Sequence, residues 1–143
     1  MAALRATEEA LRSLLVEQLE VVGPAEFEKA RTIARRFRIP LERALIERGR
    51  VPQKFLLEQL AARWGIGFID LEISHVKPAA LRTISEDYAR ANLLIPFDVK
   101  DGSLFVAMGD PRDGRVIEEI KRLTGLSVAP YLAPDAAIRR AHL

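Results

Sequence analysis

Between Leu41 and Leu71 the apolar positions change period twice. Leu41, Ala44 and Leu45 recur at helical spacing until Gly49, which predicts a helix ending near Arg48, because glycine reaches the left-handed backbone past a helix end without penalty. Pro52 suits the start of a second helix, with Leu57, Leu60, Ala61 and Trp64 as its apolar stripe and Gly65 as its stop. Phe68, Ile69 and Leu71 then read as a short buried strand. Upstream, Thr7 is a cap for a helix over roughly residues 8–20, with Glu8 and Glu9 at its positive dipole end and Leu11, Leu14, Leu15 and Leu19 buried. Gly23-Pro24 opens another helix, with Phe27, Ala30, Ala34 and Phe37 facing inward, and Pro40 separates it from the helix that follows. At an offset of 29 residues Val16 pairs with Leu45, Val22 with Val51 and Phe27 with Leu56, as an internal duplication of a helical hairpin would produce.

Beyond Leu71 the pattern alternates between helix and strand. Leu81, Ile84 and Tyr88 predict a helix over about 79–91, and Leu93 to Val99 a strand. Asp101-Gly102 is a hairpin signal that returns the chain as Leu104 to Met108. Asp110 or Asp113 caps the next helix, which carries Val116, Ile117, Ile120 and Leu123 on one face and stops at Gly125. A strand over 128–132 and a short helix over 134–142 complete the chain. The expected fold is α+β: a helical N-terminal subdomain, 1–66, built from two helical hairpins, packed as one domain with a C-terminal subdomain, 67–143, of a small sheet with flanking helices.

Charge sharpens this picture. Residues 29–54 carry nine basic side chains against two acidic ones, whereas residues 1–28 carry two basic and six acidic, so a cationic zone follows an acidic helix. Arg35, Arg36, Arg43, Arg48 and Arg50 are its candidate docking cations, for phosphates, an acidic partner or an anionic surface; otherwise they are the solvated faces of two helices. The zone has no interleaved exposed aromatics and no reader motif, so nucleic acid is not an expected partner. No apolar run is long enough for a membrane span, no signal peptide is visible, and the chain is expected in the cytoplasm.

Reactive chemistry is hard to find. The chain has no cysteine and only His75 and His142, which removes thiolate chemistry and makes a histidine metal site implausible. Gly109-Asp-Pro-Arg-Asp-Gly114-Arg115-Val116 has the glycine spacing of a phosphate loop, but Arg115 and Val116 stand where Lys and a hydroxyl are needed. Gly65-Ile-Gly67 is too short for a dinucleotide fingerprint, and no GxSxG is present. Glu86-Asp87 and Glu118-Glu119 are adjacent pairs that diverge on a helix, and Trp64 belongs to an apolar stripe. Neither catalysis nor a cofactor is expected.

Leu41-Glu-Arg-Ala-Leu-Ile-Glu-Arg-Gly49-Arg-Val51, Leu56, Leu60-Ala61 and Gly65-Ile-Gly-Phe-Ile-Asp70-Leu71 carry a resemblance that continues through Ile95-Pro96-Phe97, Asp101-Gly102, Leu104 to Pro111 and Thr124-Gly125. Together they resemble the N-terminal domain of type II secretion and type IV pilus assembly ATPases, the MshEN or GSPII domain. The resemblance implies a non-catalytic domain, excised from an ATPase core, that couples the motor to an inner-membrane platform protein and is held through it at the inner face of the bacterial membrane. It also implies cyclic di-GMP as the one candidate ligand, because some members bind it through a tandem motif opening Arg-Leu-Gly and ending in Gln. Here the opening falls on Pro40-Leu41-Glu42 and Leu11-Arg12-Ser13, and the closing position on Arg63 and Ala34. Leu41, Leu45 and Leu56 keep apolar positions of the motif, and Arg12 and Arg38 lie near its arginine places. Docking, a divergent cyclic di-GMP receptor and an unrelated scaffold or enzyme all stay open at this point.

Overall fold

The computed structural model describes residues 8–48, 51–72 and 75–143. The expected Thr7 cap, the Gly49 helix stop and Arg50 lie outside them. Two compact units make up the chain, one ending at Leu56 and the other beginning at Leu57, and among the described residues eight helices accompany one four-stranded sheet. The fold is α+β.

The helical unit opens with α1 (Glu8–Arg12), which widens into a π-helix over Ser13–Gln18. The Leu19 N–H reaches back five residues to the Leu14 carbonyl (2.9 Å), and Leu11, Leu14 and Leu15 are buried. Gly23 and Pro24 open α2 (Pro24–Phe37) as expected, with Pro24 in the first turn, where its missing N–H costs nothing. Phe27, Ala30 and Ala34 are buried, but Phe37 is 65% exposed, contrary to its place in the stripe. It is the last residue of the helix, where the inward face runs out. Arg38 ends α2 with a left-handed backbone (φ 55°, ψ 45°), and α3 (Leu41–Glu47) follows from Pro40. In the expected duplicate positions Val22 and Val51 are both buried, as are Phe27 and Leu56. Val16 is half-buried whereas its counterpart Leu45 is fully buried.

The second unit includes most of α4 (Gln53–Arg63). Gly65 stops that helix at φ 71°, with Gly65 N–H on the Ala62 carbonyl and Ile66 N–H on the Ala61 carbonyl, the paired bonds of a Schellman end. The strand expected at Phe68–Leu71 is shorter, β1 (Gly67–Phe68). The helix expected over 79–91 is two pieces, α5 (Pro78–Leu81) and α6 (Glu86–Ala91), because Ser85 breaks the run and caps the second by accepting Tyr88 N–H at 3.2 Å. β2 (Leu94–Lys100) and β3 (Ser103–Met108) form the expected hairpin, with Asp101 and Gly102 both at positive φ (52° and 77°) as its tight turn requires. Asp113 caps α7 (Gly114–Thr124) by accepting Val116 N–H at 3.3 Å, and Gly125 closes it at φ 71°. Leu123, expected on the inward face, is 58% exposed in the last turn of α7. β4 (Ser127–Leu132) and α8 (Asp135–Ala141) finish the chain.

The sheet order is β1-β4-β3-β2, with β2 antiparallel to β3 and both β3 and β1 parallel to β4. Each face is covered. Leu94, Leu104, Val106 and Met108 pack with Ala80, Ile84, Ala89, Val116 and Ile120, while Ile95, Phe97 and Ala107 pack with Ala133, Ala137 and Ile138. Burial on both sides explains why Leu93 to Phe97 is apolar without alternation. On the α8 side Phe97, Phe105 and Tyr131 form a triangle with centroids 5.4 to 6.2 Å apart. Gly67 lies so close to the Tyr131 ring that a Cβ there would collide with it.

Candidate functional site

The described candidate residues all belong to the helical unit, and the structure sorts them by burial. Leu41, Leu45 and Leu56 are interior, at 7%, 0% and 0% exposure, so they form the core that holds α2 and α3 in place. Arg12 stands where α1 passes into the π-helix; it is half-buried, and its Nη1 is sealed from solvent with no hydrogen-bond partner among the described residues. Glu42, at the motif's opening position, is 5% exposed in the first turn of α3, where the helix dipole favours a carboxylate.

The cations are gathered at the end of α2 and along α3. Arg35 donates to Glu8 at 3.1 Å and Arg43 to Glu47 at 2.5 Å, so these two are partly neutralised. Arg31 bridges Glu28 at 2.6 Å and Glu8 at 3.5 Å. Arg36, Arg38 and Arg48 are exposed and make no ion pair among the described residues. Arg36 sits with its guanidinium 5.9 Å from the centroid of the Phe37 ring. Exposed Phe37 is the member of this group that periodicity assigns to the core; its place as the final helical residue, directly before a left-handed arginine, is the signal that marks it. Chemically the arrangement offers positive charge beside one large apolar surface. It brings Arg36, Phe37 and Arg38 together by sequence, whereas Arg48, at the end of α3, lies beside Lys29 and Ile33 farther back along α2.

In the second unit, Trp64 is half-buried beneath Arg112, whose guanidinium lies 4.8 Å from its ring centroid, which ties the end of α4 to the loop before α7. The Gly109-to-Val116 segment is the helix entry that the sequence suggests. Asp135 lies against it, its Oδ1 2.5 Å from where a Gly109 Cβ would stand, and burial pushes its carboxyl above the usual range, with Arg139 opposing and Asp110 adding to the shift.

A family model described as MshEN domain matches residues 64–142. The chain belongs to the MshEN domain family. This MshEN domain is 26% identical over 131 residues to the type IV pilus assembly ATPase PilB of Myxococcus xanthus, covering 92% of the chain and 23% of that protein. It is 29% identical over 99 residues to PilB of Thermus thermophilus, covering 68% of the chain and 11% of the relative. The domain thus spans less than a quarter of the length of these relatives. Its fold matches a solved structure of MshE with cdg at a TM-score of 0.76 and 22% identity, covering 96% of this chain and 97% of that one. It matches the N-terminal domain of XpsE at a TM-score of 0.64 and 18% identity, covering 96% and 95%. No described helix is long and apolar enough to cross a membrane.

Proposed function

We propose that this MshEN domain is a non-catalytic docking and regulatory part of a type II secretion or type IV pilus assembly ATPase, joined to its own motor core. In this role it couples the motor to an inner-membrane platform protein, which holds it at the inner face of the membrane. The observation that carries the reading is the set of exposed arginines on a unit whose Leu41, Leu45 and Leu56 are closed inside, which supports contact with anions through the surface. Arg35, Arg36, Arg43 and Arg48 are the contact cations described here, and Arg50 is assigned with them. Likeness to two PilB ATPases supports the attached motor. The test is calorimetric titration of the chain with the cytoplasmic part of the platform protein at about 0.05 M and about 0.5 M salt, a range over which exposed charges are progressively screened. Affinity is expected to fall with salt and with replacement of Arg35, Arg36, Arg43 and Arg48 by glutamine; a salt-insensitive complex removes these arginines as the contact.

A second reading, a cyclic di-GMP receptor of divergent motif, is favoured by the sealed Nη1 of Arg12, which has no hydrogen-bond partner among the described residues, and by the fold shared with MshE, solved with cdg. An arginine fork suits both phosphate and guanine edges. Arg12 and Arg38 are its proposed polar contacts, while Leu41, Leu45 and Leu56 reach a base only if the unit opens. Titration with cyclic di-GMP, with GTP and ATP as controls, tests it. Selective binding that Arg12→Ala or Arg38→Ala abolishes supports the receptor; absence of heat at high micromolar ligand leaves docking alone.

A further inference from the structure

Because Phe27, Ala30 and Ala34 occupy the buried side of α2, helical geometry turns Ala25, Lys29, Thr32 and Arg36 to the opposite side, with Ile33 at its flank. Part of that side, together with Arg48, forms an open groove of about 380 Å³ lined by Ala25, Glu28, Lys29, Thr32, Ile33 and Arg48. Ala25 and Ile33 are its apolar lining. One turn beyond Ile33, Phe37 is 65% exposed, so the apolar strip continues past the groove onto a large aromatic surface.

Charge decides what fits. Glu28 is taken by Arg31 at 2.6 Å, and Lys29 is only loosely held, 3.8 Å from Glu26. Lys29 and Arg48 are the cations of the lining, Arg48 has no ion pair among the described residues, and Arg36 and Arg38, farther along α2, have none either, so positive charge is in excess on this face. Arg38 stands in a left-handed position (φ 55°) at the end of α2, directly after exposed Phe37. All strands of the described chain lie at or beyond Gly67, so this unit offers no sheet edge, and a groove between helices receives a helix.

We propose that the outer face of α2 with the end of α3 is the docking site for an acidic amphipathic helix of a partner protein. The apolar stripe of that helix lies over Ile33 and Phe37, and its carboxylates meet Lys29, Arg36, Arg38 and Arg48. The proposal rests on the docking reading and narrows it to one surface and one partner chemistry.

The test is fluorescence titration of the whole chain with a labelled synthetic helix of about 18 residues, roughly five turns, bearing a leucine stripe and glutamates elsewhere. Controls are the same peptide with lysine for glutamate, a version with serine for leucine, and vesicles of about one third anionic lipid. The acidic amphipathic peptide is expected to bind and both altered peptides to fail. Phe37→Ala and the pair Arg36→Glu, Arg48→Glu should each weaken binding about tenfold or more, while Leu123→Ala in the other unit changes it less than about twofold. These positions are exposed, so the variants should keep the native circular dichroism, and amide shifts should fall within residues 25–48. Equal binding of acidic and basic peptides, or indifference to both α2 variants, overturns the proposal; so does Phe37-dependent binding to vesicles without binding to the peptide, which makes the face a membrane contact. A platform protein that binds the chain but ignores the α2 variants overturns this surface and leaves docking intact. If the acidic helix binds as expected and the platform protein does not, the surface stands and the proposed partner falls.

Discussion

Arg38 spends backbone strain where glycine would not: a left-handed conformation costs a residue with a Cβ roughly 1–2 kcal/mol, and part of that is recovered when the Cβ is removed. Arg38→Gly is therefore expected to stabilise the domain by up to about 1 kcal/mol in urea unfolding, net of the greater freedom glycine has in the unfolded chain. The same change should weaken anion-dependent docking, separating the stability of this residue from its use. Asp135 carries a second local cost. Burial raises its carboxyl pKa, so the folded state holds the proton more tightly than the unfolded chain, and stability should rise as pH falls from neutral through the folded pKa toward the unfolded value of about 4. Asp135→Asn imitates the protonated form; it should raise the melting temperature at neutral pH and remove that acid-side gain, and unchanged pH dependence would exclude Asp135 as its source. Tyr88 is the opposite kind of group, neutral at every ordinary pH. Burial first, and then Glu119, push its phenol up to about 12 from 10.0, so absorbance at alkaline pH should show a late tyrosine ionisation that Tyr88→Phe deletes. The sequence made none of these three costs visible, because each depends on what lies around the side chain.

At the scale of elements, the helix ends and turns were legible wherever one residue carries the whole mechanism. Asp113, Gly125 and Asp101-Gly102 act through their own backbone or cap, so their signals survive any tertiary context. Asp113→Ala should cost about 1 kcal/mol by releasing the Val116 N–H, read as a shift in the urea midpoint. The strand prolines were less obvious. Pro96 lies between Ile95 and the bulge that shifts the register before Asp98, and Pro130 pairs with Val106 at the centre of β4. The Ser127 and Ala133 N–H groups point to the β3 side, on the Gly102 and Met108 carbonyls, so alternation turns the position of Pro130 the other way, toward the edge that β1 covers only at Tyr131 and Leu132. A missing N–H there breaks no ladder bond and blunts an exposed edge. Helical periodicity misled where a stripe outran its cover: Phe37 and Leu123 satisfy the spacing, yet both stand in last turns and are exposed. The proposed docking face therefore contains a residue that periodicity had sent inside.

For the whole molecule, each unit has fully buried side chains, and these predict how damage spreads. Leu45 is fully buried in the helical unit and Leu104 in the sheet, so truncation of either to alanine should cost about 2–5 kcal/mol. Amide exchange should accelerate first in residues 8–56 for Leu45→Ala and in β2 to β4 for Leu104→Ala; no acceleration at the matching unit would show that the assigned core is wrong. The amino-acid sequence alone determined the class of fold, most element positions, the hairpin and the cationic zone, because periodicity, caps, turns and charge are properties of neighbouring residues. Tertiary structure decided the rest: that β1 runs parallel to β4 with Gly67 beside Tyr131, that Glu42 is buried and Phe37 exposed, and that Arg36, Arg38 and Arg48 stay without an ion pair among the described residues while Arg35 reaches Glu8. Such facts depend on which distant residues meet, and the free energy of a contact between residues 27 or 64 positions apart has no signature in the local spacing of either.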